Sequence, residues 1–199
     1  MQKGAVLLSG VAVVGVLFGG CAEHVGRQAA DQGVGDAAAV IASGDDGRVV
    51  RVGVYDSRSI AVAFAGTAKS EAQFQEKIDA YRQAEADGDM EKMKRIKQWM
   101  NDRQAEAHRQ AFGTAGVEGI LQQYQSGLEA IKTRDHLKGI VSKWDKAALE
   151  KYGDVERVDV TMQLIDMIGP NAKQRRSAVE IQKHKPLTTK QLNRAFKKG

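Results

Sequence analysis

The sequence predicts a mostly helical α+β fold, in which a small three-stranded sheet carries a long, interrupted helical insertion between its first and second strands. Three observations lead to this prediction. The Val-rich run Arg48–Asp56 is typical of a buried strand. Apolar residues at helical spacing recur through Lys69–Lys132. Two further short segments, Gly139–Trp144 (GIVSKW) and Val155–Val160 (VERVDV), indicate the second and third strands.

The predicted insertion divides into three amphipathic helices, Lys69–Ala86, Met90–Phe112 and Gly116–Lys132. The breaks between them are Asp87-Gly88-Asp89 and Gly113-Thr114. Within each segment the apolar side chains lie three or four residues apart and therefore share one face. We interpret these faces as packing surfaces rather than as a cofactor site.

The first strand is followed by an ambiguous apolar run, Ile60–Ala65, which either extends the strand or begins the next element. Near the end of the chain, Thr161 is predicted to be the N-cap of a short helix, Met162–Ile168, that ends at Gly169-Pro170. Thr188 and Gln191 form a capping-box pattern for a last short helix that ends at about Lys197.

The first 20 residues have the organisation of an export signal. Lys3 supplies a basic start, Gly4–Gly20 contains no charged residue, and small residues precede Cys21. An uncleaved membrane anchor is the alternative, because an apolar run of this size is near the lower limit of about 17 residues for a span.

The residues Phe18-Gly19-Gly20-Cys21 resemble a bacterial lipobox, in which the cysteine is lipidated and becomes the first residue of the mature protein. This resemblance implies a signal peptide at 1–20 and an exported protein that is anchored at Cys21 to a bacterial membrane, on its periplasmic or outer-surface face. Cys21 is the only cysteine, so the chain cannot form an internal disulfide. The Ala-, Gly- and Asp-rich residues after it complete a lipidated N-terminus and flexible tether at 21–47.

Charge divides the rest of the chain into a domain at 48–170 and a basic tail at 171–199. Residues 22–172 contain 20 basic and 24 acidic residues. The tail contains one glutamate against nine basic residues, which are Lys173, Arg175, Arg176, Lys183, Lys185, Lys190, Arg194, Lys197 and Lys198. Such a tail could bind an anionic surface such as lipid head groups, lipopolysaccharide or cell-wall polymer. An exported address argues against nucleic acid as its partner.

Catalytic and cofactor-binding patterns are absent from the sequence. It contains no phosphate-binding glycine loop, no nucleophile elbow and no histidine pair at metal-ligand spacing. We therefore predict no enzyme activity, no cofactor, no metal and no catalytic residue. The alternative is an enzyme whose site is assembled from distant residues without a sequence motif. Asp56, Arg58 and Asp159 form a candidate polar site, because they lie at or near strand ends. In the alternative, Asp56 caps the next segment and Arg58 lies on the surface.

The order of elements resembles the Skp/OmpH group of periplasmic chaperones. The residues that carry the resemblance are Val52–Arg58 (VGVYDSR) and Val158–Thr161 (VDVT), and it spans Arg48–Ile168. The resemblance implies a homotrimer in which the strands form a small barrel and helical arms hold unfolded outer-membrane proteins. The expected role is that of a membrane-tethered, non-enzymatic, chaperone-like module of the cell envelope.

Overall fold

The computed structural model describes residues 50–196. The predicted signal peptide, Cys21 and the tether lie outside these residues, as do Lys197 and Lys198. None of the helices within 50–196 has the length and apolar character that crossing a membrane requires.

The three predicted strands form one sheet, which confirms the α+β prediction. They are β1 (Arg51–Tyr55), β2 (Leu137–Ser142) and β3 (Glu156–Asp159), all parallel, in the order β2-β1-β3. Parallel neighbours need crossover connections. The whole helical insertion supplies the crossover from β1 to β2, and the helix α6 (Lys146–Tyr152) supplies the crossover from β2 to β3.

The ambiguous run after β1 is helical, in α1 (Ser57–Phe64). All eight of its residues are buried, because α1 packs against four other helices. A helix that is buried on every side has no polar face and therefore no helical periodicity in its sequence. This explains why the pattern of Ile60–Ala65 could not distinguish a helix from a strand.

The next two helices form a hairpin, α2 (Ala68–Ala86) and α3 (Met90–Phe112), which we call the arm. The predicted break at Asp87-Gly88-Asp89 is confirmed: Gly88 has a φ of +71°, and Asp89 accepts a hydrogen bond from the backbone N–H of Lys92. At 1.5 Å per residue, α3 is about 35 Å long. The two helices pack mainly on each other, and α3 also contacts α1.

The third predicted helix of the insertion is interrupted. It consists of α4 (Glu118–Leu121), a 3₁₀ turn at Gln122–Tyr124 and α5 (Gln125–Arg134). The apolar stripe still predicted its packing correctly, since Ile120, Leu121 and Ile131 enter the core.

The helix after β3, α7, spans Thr161–Ile168, and the prediction that Thr161 is its N-cap is wrong. The Thr161 N–H instead donates to the carboxylate of Asp159 (2.8 Å), and the Thr161 hydroxyl accepts from the backbone of Asp56 (3.0 Å). A fully buried threonine hydroxyl thus joins the ends of two strands. The helix ends as predicted at Gly169, which has a φ of +71°.

The predicted basic tail contains more structure than one short helix. It begins with α8 (Ala172–Glu180) and a 3₁₀ turn at Ile181–Lys183, and α8 packs against α1. The last helix is α9 (Thr189–Phe196), and the predicted capping box is present at its start, between Thr188 and Gln191. The domain therefore continues past residue 170 to include the tail as far as 196.

Candidate functional site

Asp56 follows directly after β1, at the carboxyl end of the central strand. Its side chain accepts from the backbone N–H of Arg58 (3.1 Å), so it is the N-cap of α1. The capping role proposed for Asp56 in the alternative interpretation is therefore correct. The surface position proposed there for Arg58 is wrong, because this side chain is only 1% exposed.

Arg58 turns back to form a bidentate ion pair with Asp56. Its Nε donates to Oδ1 (3.0 Å) and its Nη2 donates to Oδ2 (2.7 Å). The third guanidinium nitrogen, Nη1, donates to the backbone carbonyl of His184 (2.7 Å), in the predicted tail. Asp56 itself is fully buried, so the pair is held away from water and its donors are directed at protein acceptors.

Two residues from the end of β2 complete what we call the Asp56 cluster, which consists of Asp56, Arg58, Lys143 and Trp144. The indole Nε1 of Trp144 donates to Oδ1 of Asp56 (3.1 Å), and Nζ of Lys143 lies 2.9 Å from Oδ2. The Arg58 guanidinium and the Lys143 ammonium lie 5.0 Å and 4.8 Å from the centroid of the Trp144 ring. Both cations are therefore at cation–π distance from one indole.

Lys143 and Trp144 were not predicted as site residues. One signal was available: they directly follow the second predicted strand, and the carboxyl ends of parallel strands meet at one edge of a sheet. That signal requires knowing that the strands are parallel, which their sequences alone do not show.

The Asp56 carboxylate is fully occupied. Burial alone would raise its pKa, but hydrogen bonds from Arg58, Lys143 and Trp144, with the charge of Arg58, outweigh burial and hold the pKa of Asp56 at about 2. Five donors share its two oxygens. A carboxylate with this pKa and no free lone pair is a poor general base. The geometry instead suits a structural anion that joins β1, α1 and the end of β2.

Asp159, the third predicted site residue, does not join the Asp56 cluster directly. Its side chain is exposed, and its Oδ1 accepts from the N–H of Thr161. The Thr161 hydroxyl in turn accepts from the backbone N–H of Asp56, so Thr161 connects Asp159 with Asp56. The structure brings Asp56 and Arg58 together and places Asp159 at the neighbouring helix start.

The basic residues of the predicted tail fall into two groups. Arg175 pairs with Asp166 (2.9 Å) and Lys183 pairs with Glu180 (2.7 Å). Five others form no ion pair with another residue of 50–196, and these are Lys173, Arg176, Lys185, Lys190 and Arg194. All five are exposed, so the α8–α9 segment presents a cationic surface.

Apolar contacts hold α9 against the base of the arm. Leu192 is buried, and the Phe196 ring stacks on His108 of α3 at a centroid distance of 3.9 Å. Burial lowers the pKa of His108, which favours the neutral imidazole in this stack. The backbone N–H of Leu187 also donates to the carbonyl of Phe112 (2.7 Å).

Across residues 50–196, no three His, Cys, Asp or Glu side chains are grouped so that they could hold a metal ion. No protein-family model, no curated protein and no solved structure matches this chain. Its function must therefore be inferred from its own residues and their geometry.

Proposed function

We propose that this protein is a non-enzymatic, chaperone-like interaction module of the bacterial cell envelope, exported and tethered to the membrane through a lipid on Cys21. The observation that carries this proposal is the arm. Its two helices share an apolar face, which we call the seam, and the side chains of the seam are only partly buried. The element order that resembles Skp/OmpH supports the same reading and implies a homotrimer.

Among residues 50–196, no third helix packs along α2 and buries this seam. Phe74 and Trp99 meet edge to face at a centroid distance of 5.7 Å, yet both stay partly exposed. Met90, at the tip, is 70% exposed. The other half-buried apolar side chains along the seam are Ile78, Tyr81, Met93, Ile96 and Met100. Flexible methionines beside aromatic rings form the kind of adaptable surface that binds unrelated apolar segments.

Charge on the arm supports apolar rather than electrostatic recognition. Residues 68–112 contain nine Lys or Arg and nine Asp or Glu, so the arm has no net charge. Several of these charges pair along the helices, as Arg109 does with Glu106. A client would then be held mainly by the seam.

We expect the full chain from residue 22 onward to suppress the aggregation of an unfolded outer-membrane protein. The triple replacement Met90→Gln, Met93→Gln and Met100→Gln should remove most of this suppression, because glutamine keeps the helix propensity and length of methionine but not its apolar surface. Light scattering during dilution of the unfolded client from urea measures the effect.

Glu91→Gln with Lys94→Gln is the matched control, since both residues are exposed on the same helix and the pair conserves net charge. Circular dichroism checks that the arm stays helical in each variant, and mass in solution tests the trimer. A monomer that leaves aggregation unchanged would exclude the chaperone role.

The cationic surface of α8 and α9 favours a second function, binding to an anionic lipid surface near the anchor. Each basic residue near such a membrane contributes about 1 kcal/mol. Lys185→Gln, Lys190→Gln and Arg194→Gln together should weaken binding of the chain from residue 22 onward to phosphatidylglycerol-containing vesicles by roughly a hundredfold. Vesicle co-sedimentation at low and at physiological salt measures this.

The control for this second function removes equal charge elsewhere, through Lys94→Gln, Arg95→Gln and Lys97→Gln on the arm. A truncation at residue 172 is unsuitable, because α8 packs on α1 and the carbonyl of His184 accepts from Arg58. Equal weakening by both triple variants would show that net charge matters and the α8–α9 surface does not.

A further inference from the structure

A groove runs along the outer edge of β2, on the body of the protein and separate from the arm seam. It consists of two adjoining cavities of about 360 and 300 Å³. Both are lined by Leu121, Leu128 and Ile140, which form a shared apolar floor. Cavities of this size fall at the lower end of the range for sites that bind a compact group.

The two ends of the groove carry different charges. At the carboxyl end of β2 the lining includes Glu118 and Asp145, and neither forms an ion pair with another residue of 50–196. At the other end Lys138 lies beside the Glu129–Lys132 ion pair. The end near Glu118 therefore offers two carboxylates to a cationic group.

Tyr55 also lines the end of the groove that contains the carboxylates. Burial raises the pKa of its phenol, and the charges of Glu118 and Asp145 raise it further, so the phenol stays protonated at physiological pH. Its hydroxyl forms no hydrogen bond with another residue of 50–196, and Tyr55 is among the residues that line this end of the groove.

The backbone of β2 is also open on this side. The N–H of Lys143 donates to the carbonyl of Tyr55 in β1 (2.8 Å). Because backbone groups alternate along a strand, the N–H and C=O of Ile140 point away from β1, toward the groove. Among residues 50–196 they have no hydrogen-bond partner.

The two edges of the sheet differ in how they are protected. Three of the four residues of β3 are charged, which discourages pairing with another strand. Of the six residues of β2, only Lys138 is charged. The edge formed by β3 is thus protected by charge. The edge formed by β2 is not, and it lies beside the apolar floor of the groove.

We propose that this groove binds an extended segment of another polypeptide, which pairs with β2 as a fourth strand. Backbone hydrogen bonds to Ile140 supply affinity, and an apolar side chain of the segment packs on the floor of the groove. A Lys or Arg of the segment lies between Glu118 and Asp145. This site is additional to the arm seam and does not rest on the arm's proposed role.

A fluorescein-labelled heptapeptide with a central leucine and a lysine two residues later tests the proposal by fluorescence anisotropy. The full chain from residue 22 onward should bind it. Glu118→Gln with Asp145→Asn should weaken binding roughly tenfold, since both carboxylates are lost while asparagine still caps α6. Replacing the peptide's lysine by glutamate, or its residue before leucine by proline, should weaken binding to a similar extent.

Two controls keep this test independent of the proposed function. Glu91→Gln with Asp102→Asn removes equal charge from the arm and should leave peptide binding unchanged, as should the triple methionine variant. Equal affinity for the lysine and glutamate peptides would overturn the proposal. A second result would also overturn it. If the wild-type chain is an oligomer that binds no peptide, and Glu118→Gln with Asp145→Asn dissociates that oligomer, the β2 edge contacts a second copy of this chain instead.

Discussion

Replacing Asp56 by alanine is expected to lower the free energy of unfolding by about 3–5 kcal/mol, because it leaves a buried arginine without its counter-ion. Arg58 is 1% exposed and cannot reach water without disrupting α1. The replacement also removes the N-cap of α1 and the acceptor of the Trp144 indole. Urea denaturation followed by circular dichroism measures the change.

Two variants test that the buried charge is the cause. Asp166→Ala breaks the exposed pair with Arg175 and should cost less than about 1 kcal/mol. Adding Arg58→Met to Asp56→Ala removes the unpaired charge, so the double variant should be more stable than the single one. A single variant that loses as little as Asp166→Ala would contradict the central role of the Asp56 cluster.

The pH dependence of stability gives a second measure of the same cluster. The pKa of Asp56 is about 2 in the folded protein, below about 3.9 in an unfolded chain. A lowered carboxyl pKa stabilises the fold fully above the unfolded value, and this stabilisation is lost as pH falls from about 4 to about 2. The Asp56→Ala variant should lack this part of the acid dependence.

The sheet and the arm were predictable because their signals are local. The two arm helices were predicted from the break at Asp87-Gly88-Asp89 and from apolar residues spaced three and four apart. The helix α3 has the predicted bounds. The observed bounds of the strands differ from the predicted ones by one to three residues, since a run of β-branched residues does not show where strand pairing stops. The end of β1, for example, is set by Asp56, which caps the following helix.

The Asp56 cluster was predictable only in part, because its contacts are distant in sequence. Trp144 lies 88 residues from Asp56, and the carbonyl of His184 lies 126 residues from Arg58. The many basic residues of α8 led to its prediction as part of a tail rather than of the domain. Its Ala178 is in fact fully buried, and the Ala178 carbonyl accepts a hydrogen bond from the Ser59 hydroxyl. Asn171, which caps α8, was the available signal for that helix.

These distant contacts connect the cluster to the proposed function. Arg58 donates to the carbonyl of His184 and so connects the tail to the carboxyl end of the sheet. The helix α1, which Asp56 caps, directly precedes the arm. The Asp56–Arg58 ion pair therefore fixes the start of α1, the helix that precedes the arm, to the end of β1. Loss of Asp56 should then weaken the body while the contacts within the arm, such as Phe74 with Trp99, remain available.

Changing Cys21 to Ser is expected to move the protein from the membrane fraction to the soluble fraction, or to leave an uncleaved precursor. The thiol of Cys21 is the only one in the chain, so no other residue can carry a thioether-linked lipid. One acyl chain alone gives marginal membrane binding, and stable anchoring takes about two or more, as in a mature bacterial lipoprotein. Fractionation of the expressing cells followed by immunoblotting measures the shift.

The competing model, an uncleaved anchor formed by Gly4–Gly20, predicts a different result. The apolar run would hold the chain in the membrane whichever residue followed it, so Cys21→Ser and the control Ser43→Ala would behave alike. The domain at 50–196 should fold in both variants, because its core consists of its own residues, among them Ile60, Leu164 and Ile165. The mass of the mature wild-type protein separates the models: a chain that begins at a lipid-modified Cys21 supports the lipoprotein, and one that begins at Met1 with a free thiol excludes it.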